Sequence, residues 1–303
     1  MRAADGTELR GWRVRARSPN GNWIILFHGV SDNGTGTLDY AELLLRHGHN
    51  VVMMDSRAHG ESGGNMATYG WKERYDTVAI SNGLYSTETV NHLGALGESM
   101  GAAIALQSAA VEPRIEAVVA EDPFADLRKV SYDYAGLRFS PLQGKTLFRP
   151  ATIFAIDAME NAGGFSPDDV SPAEAVAARP FPILLICGTH DRTIPCRHAE
   201  RIYQAARGPK ELWVVEGAEH ASALRAPNEY ENRVVGFFSG VFANHGAPAG
   251  TTQRHRNVTG KENLGDFGAR KRTRTSTPLR EPAPEAGASA NSAIRALQAA
   301  YST

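Results

Sequence analysis

The chain has 303 residues, 42% of them hydrophobic, and a formal net charge of -1. That length holds one large α/β domain or two small ones, and the near-neutral balance gives no argument for nucleic acid or an anionic surface as a partner. No run of about 18 apolar residues occurs, so no membrane span is encoded, and the opening Met1-Arg2-Ala3-Ala4-Asp5-Gly6 lacks the apolar stretch of a signal peptide.

Residues 9–16 alternate like a half-exposed strand and lead into the turn Ser18-Pro19-Asn20-Gly21. Residues 23–27 are continuously apolar, the pattern of a strand buried on both faces. Residues 37–47 carry Leu38, Ala41, Leu44 and Leu45 at helical spacing, and 51–54 form the next buried strand. A helix is predicted over 71–84, a strand over 93–96, a helix of small residues over 100–110, and strands over 115–120, 182–187 and 212–215. An amphipathic helix over 229–243 closes the body, with Val234, Phe237, Phe238 and Phe242 apolar. Strands alternating with helices predict a mostly parallel α/β sheet with helices on both faces.

Two cysteines are too few for a disulfide framework, which makes a reducing, cytoplasmic setting the expectation. Cys187 ends the apolar run Ile183-Leu184-Leu185-Ile186 and reads as a buried, inert thiol. About sixty residues separate the fifth strand from the sixth, too many for one crossover. They are rich in aromatics, and residues 123–180 are expected to supply a crossover helix and a small helical lid. The domain is expected to span residues 1–245. After it, residues 246–303 lose all periodicity and carry nine Lys and Arg against four Asp and Glu. The run Gly268-Ala269-Arg270-Lys271-Arg272-Thr273-Arg274-Thr275-Ser276-Thr277-Pro278-Leu279 resembles a translated antisense strand of a transfer-RNA gene. The expectation is therefore a disordered tail foreign to the native frame, not a nucleic-acid patch.

Gly97-Glu98-Ser99-Met100-Gly101 is a G-x-S-x-G pentapeptide between a predicted strand and a predicted helix. A serine on such a turn projects its hydroxyl clear of the backbone, and the helix N-terminus behind it favours developing negative charge. A serine hydroxyl needs a base, and His220 follows the last strand, at the same edge of the sheet. The base needs an anion to fix its tautomer. Asp191, after the sixth strand in Gly188-Thr189-His190-Asp191, is the expected acid, and Asp122, at the end of the fifth strand, is its rival. The N–H groups of Val30, in Phe27-His28-Gly29-Val30, and of Met100 are the expected oxyanion hole. His28 reads as a structural hydrogen-bonder, and the loop Asp55-Ser56-Arg57-Ala58-His59-Gly60-Glu61-Ser62 as architecture beneath the site.

This set, in the order serine, acid, histidine over roughly residues 5 to 245, resembles the α/β-hydrolase superfamily, and within it the bacterial esterase and serine-aminopeptidase-like branches. The resemblance implies an α/β-hydrolase fold and acyl transfer through Ser99, His220 and Asp191. A serine at 99 argues against the dehalogenases and epoxide hydrolases of that fold, which use aspartate. No metal-ligand spacing, dinucleotide fingerprint or phosphate loop occurs, so neither metal nor cofactor is expected. A carboxylesterase acting on a small-molecule ester is the leading expectation. Peptidase, amidase or thioesterase chemistry shares the same residues, and a catalytically silent ligand- or partner-binding protein is the alternative of another class.

Overall fold

The computed structural model describes residues 1–135 and 146–245. Its strands are β1 (Gly11–Val14), β2 (Trp23–Phe27), β3 (Asn50–Met54), β4 (Leu93–Glu98), β5 (Ile115–Glu121), β6 (Ile183–Gly188) and β7 (Lys210–Val215). They form one sheet in the order β1-β3-β2-β4-β5-β6-β7, parallel except for β1, which pairs antiparallel with β3. The first strand is shorter than the alternation over 9–16 predicts. The tail 246–303 and residues 136–145 of the expected lid lie outside the described residues.

Helices cover both faces. On one lie α1 (Leu38–Arg46) and the last helix, α8 (Pro227–His245); on the other lie α2 (Glu73–Thr87), α3 (Met100–Val111), α6 (Pro172–Ala178) and α7 (Arg197–Ala205). The continuous apolar runs follow from this double cover. Side chains alternate across a strand, so Trp23, Ile25 and Phe27 enter the core under α3 while Ile24 and Leu26 enter the core under α1 and α8. Two further helices, α4 (Leu127–Ala135) and α5 (Arg149–Gly163), stand between β5 and β6 over the carboxyl ends of the strands. The second begins with Pro150 in its first turn and ends at Gly164 in the left-handed conformation, φ 63°. Proline presets the first helical φ and glycine accepts a φ that other residues resist.

The cysteine expectation is overturned. Cys187 and Cys196 form a disulfide, with their Cα atoms 5.4 Å apart. The apolar context of Cys187 signalled burial correctly, but partnership depends on where the chain returns. The turn after β6 folds back so that the residue preceding α7 meets the strand. Disulfides persist in oxidising surroundings, so cysteine usage no longer argues for a reducing compartment. Among the described residues no helix is long and apolar enough to cross a membrane.

Candidate active site

β2 and β4 are neighbours in the sheet, and the chain leaves β2 through α1 toward β3 on one side and leaves β4 through α3 toward β5 on the other. Crevices of α/β sheets open at such a point, beyond the carboxyl ends of the strands. The loop after β2 carries Gly29 and Val30, and Ser99 directly follows β4.

The turn from β4 into α3 places Ser99 at φ 53° and ψ -118°, a conformation costing a non-glycine residue about 1–3 kcal/mol. It is held by the Ser99 N–H donating to the Glu121 carbonyl at 2.8 Å and by the Ala103 N–H donating to the Ser99 carbonyl at 3.2 Å. The two glycines of the pentapeptide are required by contact. A Cβ on Gly97 would stand 2.4 Å from the backbone of Gly101, and one on Gly101 would stand 2.2 Å from the Phe27 carbonyl oxygen. Strand, helix and neighbouring strand therefore close to contact distance, and the Ser99 side chain faces the crevice.

His220 arrives on the loop between β7 and α8. Its Nε2 lies 2.9 Å from Ser99 Oγ and its Nδ1 lies 2.7 Å from Asp191 Oδ2. The other Asp191 oxygen accepts the N–H groups of Thr193 and Ile194 at 2.7 and 2.9 Å. The turn thus fixes the carboxylate, and the carboxylate fixes the ring. With Nδ1 donating to Asp191, Nε2 presents its lone pair to the serine hydroxyl. Burial alone would lower the His220 pKa, but the Asp191 hydrogen bond and the charges of Asp191, Asp122 and Glu98 outweigh it, and the net direction is upward. The rival acid, Asp122, stands 3.8 Å from Nδ1. Its shorter bonds go to backbone N–H groups. Neighbouring His190 is exposed and donates its backbone N–H to the Ala218 carbonyl.

Among the described residues, donor atoms of Asp122, Asp191 and His220 lie within 4.8 Å of one another, close enough to hold a metal ion. Nδ1 is already engaged with Asp191, however, and a cation there would compete for the lone pair that this tautomer spends as an N–H.

His28 is fully buried and its two nitrogens are both committed. Nε2 accepts the Ser56 N–H at 3.0 Å, so Nδ1 carries the hydrogen and donates to the Gly29 carbonyl at 2.7 Å. That bond has a geometric consequence. In a trans peptide the carbonyl and the next N–H point opposite ways, so holding the Gly29 oxygen against His28 turns the Val30 N–H away from it. Val30, Met100, Ser99 and His220 all line one cavity. Met100 opens α3, where N–H groups have no intrahelical acceptor. Beneath this loop, Asp55 accepts the N–H groups of Gly34 and Glu61 at 2.7 Å each, and Arg57 pairs with buried Asp76.

The cavity encloses about 810 Å³. Ser99 and His220 form its floor. Leu127, Val130 and Tyr134 of α4, Ile156 and Met159 of α5, and Tyr69 and Phe124 supply an apolar wall. A second set of groups escaped the sequence reading. Tyr40 Oη donates to Glu98 Oε2 at 2.8 Å and faces Glu121 Oε2 at 3.2 Å. One phenolic proton thus serves two carboxyl groups, Glu121 buried and Glu98 half-buried at the cavity. Burial pushes both upward, Glu121 to about 7. The available signal was charge at the end of a buried strand: Glu98 ends β4, Glu121 ends β5, and Asp122 follows directly.

The profile of the Alpha/beta hydrolase family matches residues 24–233. The chain is 34% identical over 245 residues to the uncharacterized protein YqkD of Bacillus subtilis (strain 168), covering 79% of this chain and 78% of that one. It is 29% identical over 243 residues to the uncharacterized protein YfhR of Escherichia coli (strain K12), covering 78% of each. Among solved structures it is similar to the Pyrococcus furiosus esterase Pf2001, with TM-score 0.64 and 25% identity over 80% of this chain and 91% of that one. The Butyrivibrio proteoclasticus protein Est1E shares the fold at TM-score 0.61 and 18% identity, over 79% of this chain and 97% of that one. Sheet topology, the turn at Ser99 and these likenesses agree: the chain belongs to the α/β hydrolase family.

Proposed function

We propose that the protein is a serine hydrolase that cleaves carboxylic esters through an acyl-enzyme. One observation carries the reading, the unbroken hydrogen-bonded series from Ser99 Oγ through His220 to Asp191. Ser99 attacks the ester carbonyl as His220 Nε2 takes its proton, and Asp191 stabilises the imidazolium that forms. The Val30 and Met100 N–H groups receive the oxyanion. His220 then protonates the leaving alcohol, and water repeats the sequence to free the acid. An ester is favoured over a peptide because the cavity wall offers aromatic and aliphatic carbon, which an acyl chain fills. The esterase Pf2001 has a similar fold.

The test is covalent labelling by a fluorophosphonate, followed by turnover of p-nitrophenyl esters of increasing acyl length beside aminoacyl-arylamides. Labelling is expected on Ser99 and is expected to vanish in Ser99→Ala, with ester turnover exceeding arylamide turnover. Asp191→Asn, which leaves His220 in the wrong tautomer, is expected to lose on the order of 10⁴ in kcat. Arylamide turnover without ester turnover replaces the reading with a peptidase or amidase. A folded protein that resists labelling is a binding protein instead.

A further inference from the structure

The sequence offers Asp122 as a rival to Asp191, but its contacts give it a different part. Asp122 sits at the tip of β5, buried, at φ 49°. Its N–H donates to the Ile186 carbonyl at 2.8 Å, which ties it to β6. One carboxyl oxygen accepts the Gly188 N–H at 3.2 Å, and the other accepts the Ala221 N–H at 2.7 Å. Ala221 follows His220 directly and is itself held at φ 50°, a conformation that a non-glycine residue keeps only when its surroundings impose it. Two residues further on, the Ala223 N–H donates to Glu121 Oε1 at 3.0 Å. The histidine loop therefore hangs from two successive carboxyl groups at one strand end.

We infer that Asp122 is a positioning residue that acts through His220, setting the backbone from which the imidazole reaches Ser99 and placing a second negative charge beside Nδ1. This rests on the reading of Ser99 as nucleophile and His220 as base. Asp191 aligns the ring, and Asp122 aligns the loop. The side-chain type follows from the donors it meets. Two backbone N–H groups face it, one from the last residue of β6 and one from the histidine loop, so two acceptor oxygens are needed; an asparagine would oppose one N–H with its own NH₂.

The charged groups around His220 are Asp191, Asp122 and Glu98, and those around Asp122 are Asp191, Glu121 and His220. Burial and the charge of Asp191 raise the Asp122 carboxyl to about 7. Its negative charge therefore develops near neutrality and favours the imidazolium as it does so.

The test compares the full-length parent with Asp122→Asn, reading the rate of Ser99 labelling by a fluorophosphonate and ester turnover across pH. The expected result is a fall in labelling rate and kcat on the order of ten- to a hundredfold, as for a catalytic group displaced by a fraction of a bond length or more. KM should change little. The acid limb of the profile should move to lower pH, because a negative charge has left the neighbourhood of His220. If the asparagine variant does not fold, Asp122→Ser carries the same comparison, with one acceptor oxygen and no charge. A variant as fast as a parent that labels overturns this inference and leaves the hydrolase reading intact. So does a slower variant whose acid limb stays in place, since loosening alone accounts for it. A parent that does not label overturns both.

Discussion

The disulfide between Cys187 and Cys196 closes the turn that carries Asp191. Cys187 is the penultimate residue of β6 and Cys196 precedes α7, nine residues later, so the crosslink limits the freedom of the segment between them. Closing a loop of that size contributes roughly 2–3 kcal/mol on the chain-entropy estimate. Cys196→Ser is expected to lower Tm on the order of 5–10 °C and to reduce kcat, since the Asp191 turn loses a boundary. The parent under reductant should approach the variant, and the variant should ignore reductant. Equal Tm with and without the crosslink would show that hydrogen bonds alone hold the turn.

Most of the fold was legible because each buried strand announces itself. A strand covered on both faces must be apolar along its buried length; residues 23–27 and 51–54 are apolar throughout, and 115–120 are apolar except for half-buried Glu116. The convergence of Ser99, His220 and Asp191 was legible for a related reason: each follows a readable strand, and strand ends in such a sheet share one edge. What stayed hidden depends on the third dimension. Tyr40 belongs to a helix far along the chain from Glu98 and Glu121, and its apolar neighbours Ala41, Leu44 and Leu45 made it look like core. The partnership of Cys187 with Cys196 required the shape of the turn between them. Asp122 was visible as an acid near the site, yet its use of both oxygens on backbone N–H groups could not be read from residue type.

The acid limb of kcat/KM should report His220. Only the neutral imidazole can take the serine proton, so activity rises as pH passes upward through its pKa. The hydrogen bond from Asp191 and the charges of Asp191, Asp122 and Glu98 outweigh burial and raise that pKa. The limb is therefore expected above the ordinary imidazole value of about 6.5. An ester pH-rate profile checks it, and a limb below that value would mean that desolvation dominates the site.

His28 is expected to matter through the peptide that it turns. Removing its Nδ1–H frees the Gly29 carbonyl to rotate, and the Val30 N–H rotates with it. His28→Ala should lose up to the value of one oxyanion donor, on the order of 10²–10³ in kcat. His28→Asn places an amide NH₂ near the position of Nδ1 and should recover part of that loss. Steady-state ester kinetics on both variants decide the matter. Equal kcat in the alanine and asparagine variants would assign the loss to the emptied volume instead of the lost donor.

Glu121 gives the fold a pH dependence that can be isolated. Burial, reinforced by the charge of Glu98, holds its carboxyl near about 7 in the folded protein, against the pull of the Ala223 N–H and the tyrosine hydroxyls. In the unfolded chain it titrates at about 4.3. Between those values the unfolded chain has already released the proton that the folded protein still keeps. Stability from this group is thus fully present at low pH and is lost as pH rises through that window, by on the order of 3 kcal/mol. Glu121→Gln removes the titration while leaving an oxygen to accept the Ala223 N–H. Thermal melts at pH 5 and pH 8 should therefore show a smaller drop in Tm for the glutamine variant than for the parent. All other titrating groups are common to the two proteins, so the difference between the drops belongs to this carboxyl. Parallel drops would mean that its hydrogen bonds cancel the cost of burying it, and that Glu121 stays ionised beneath the histidine loop.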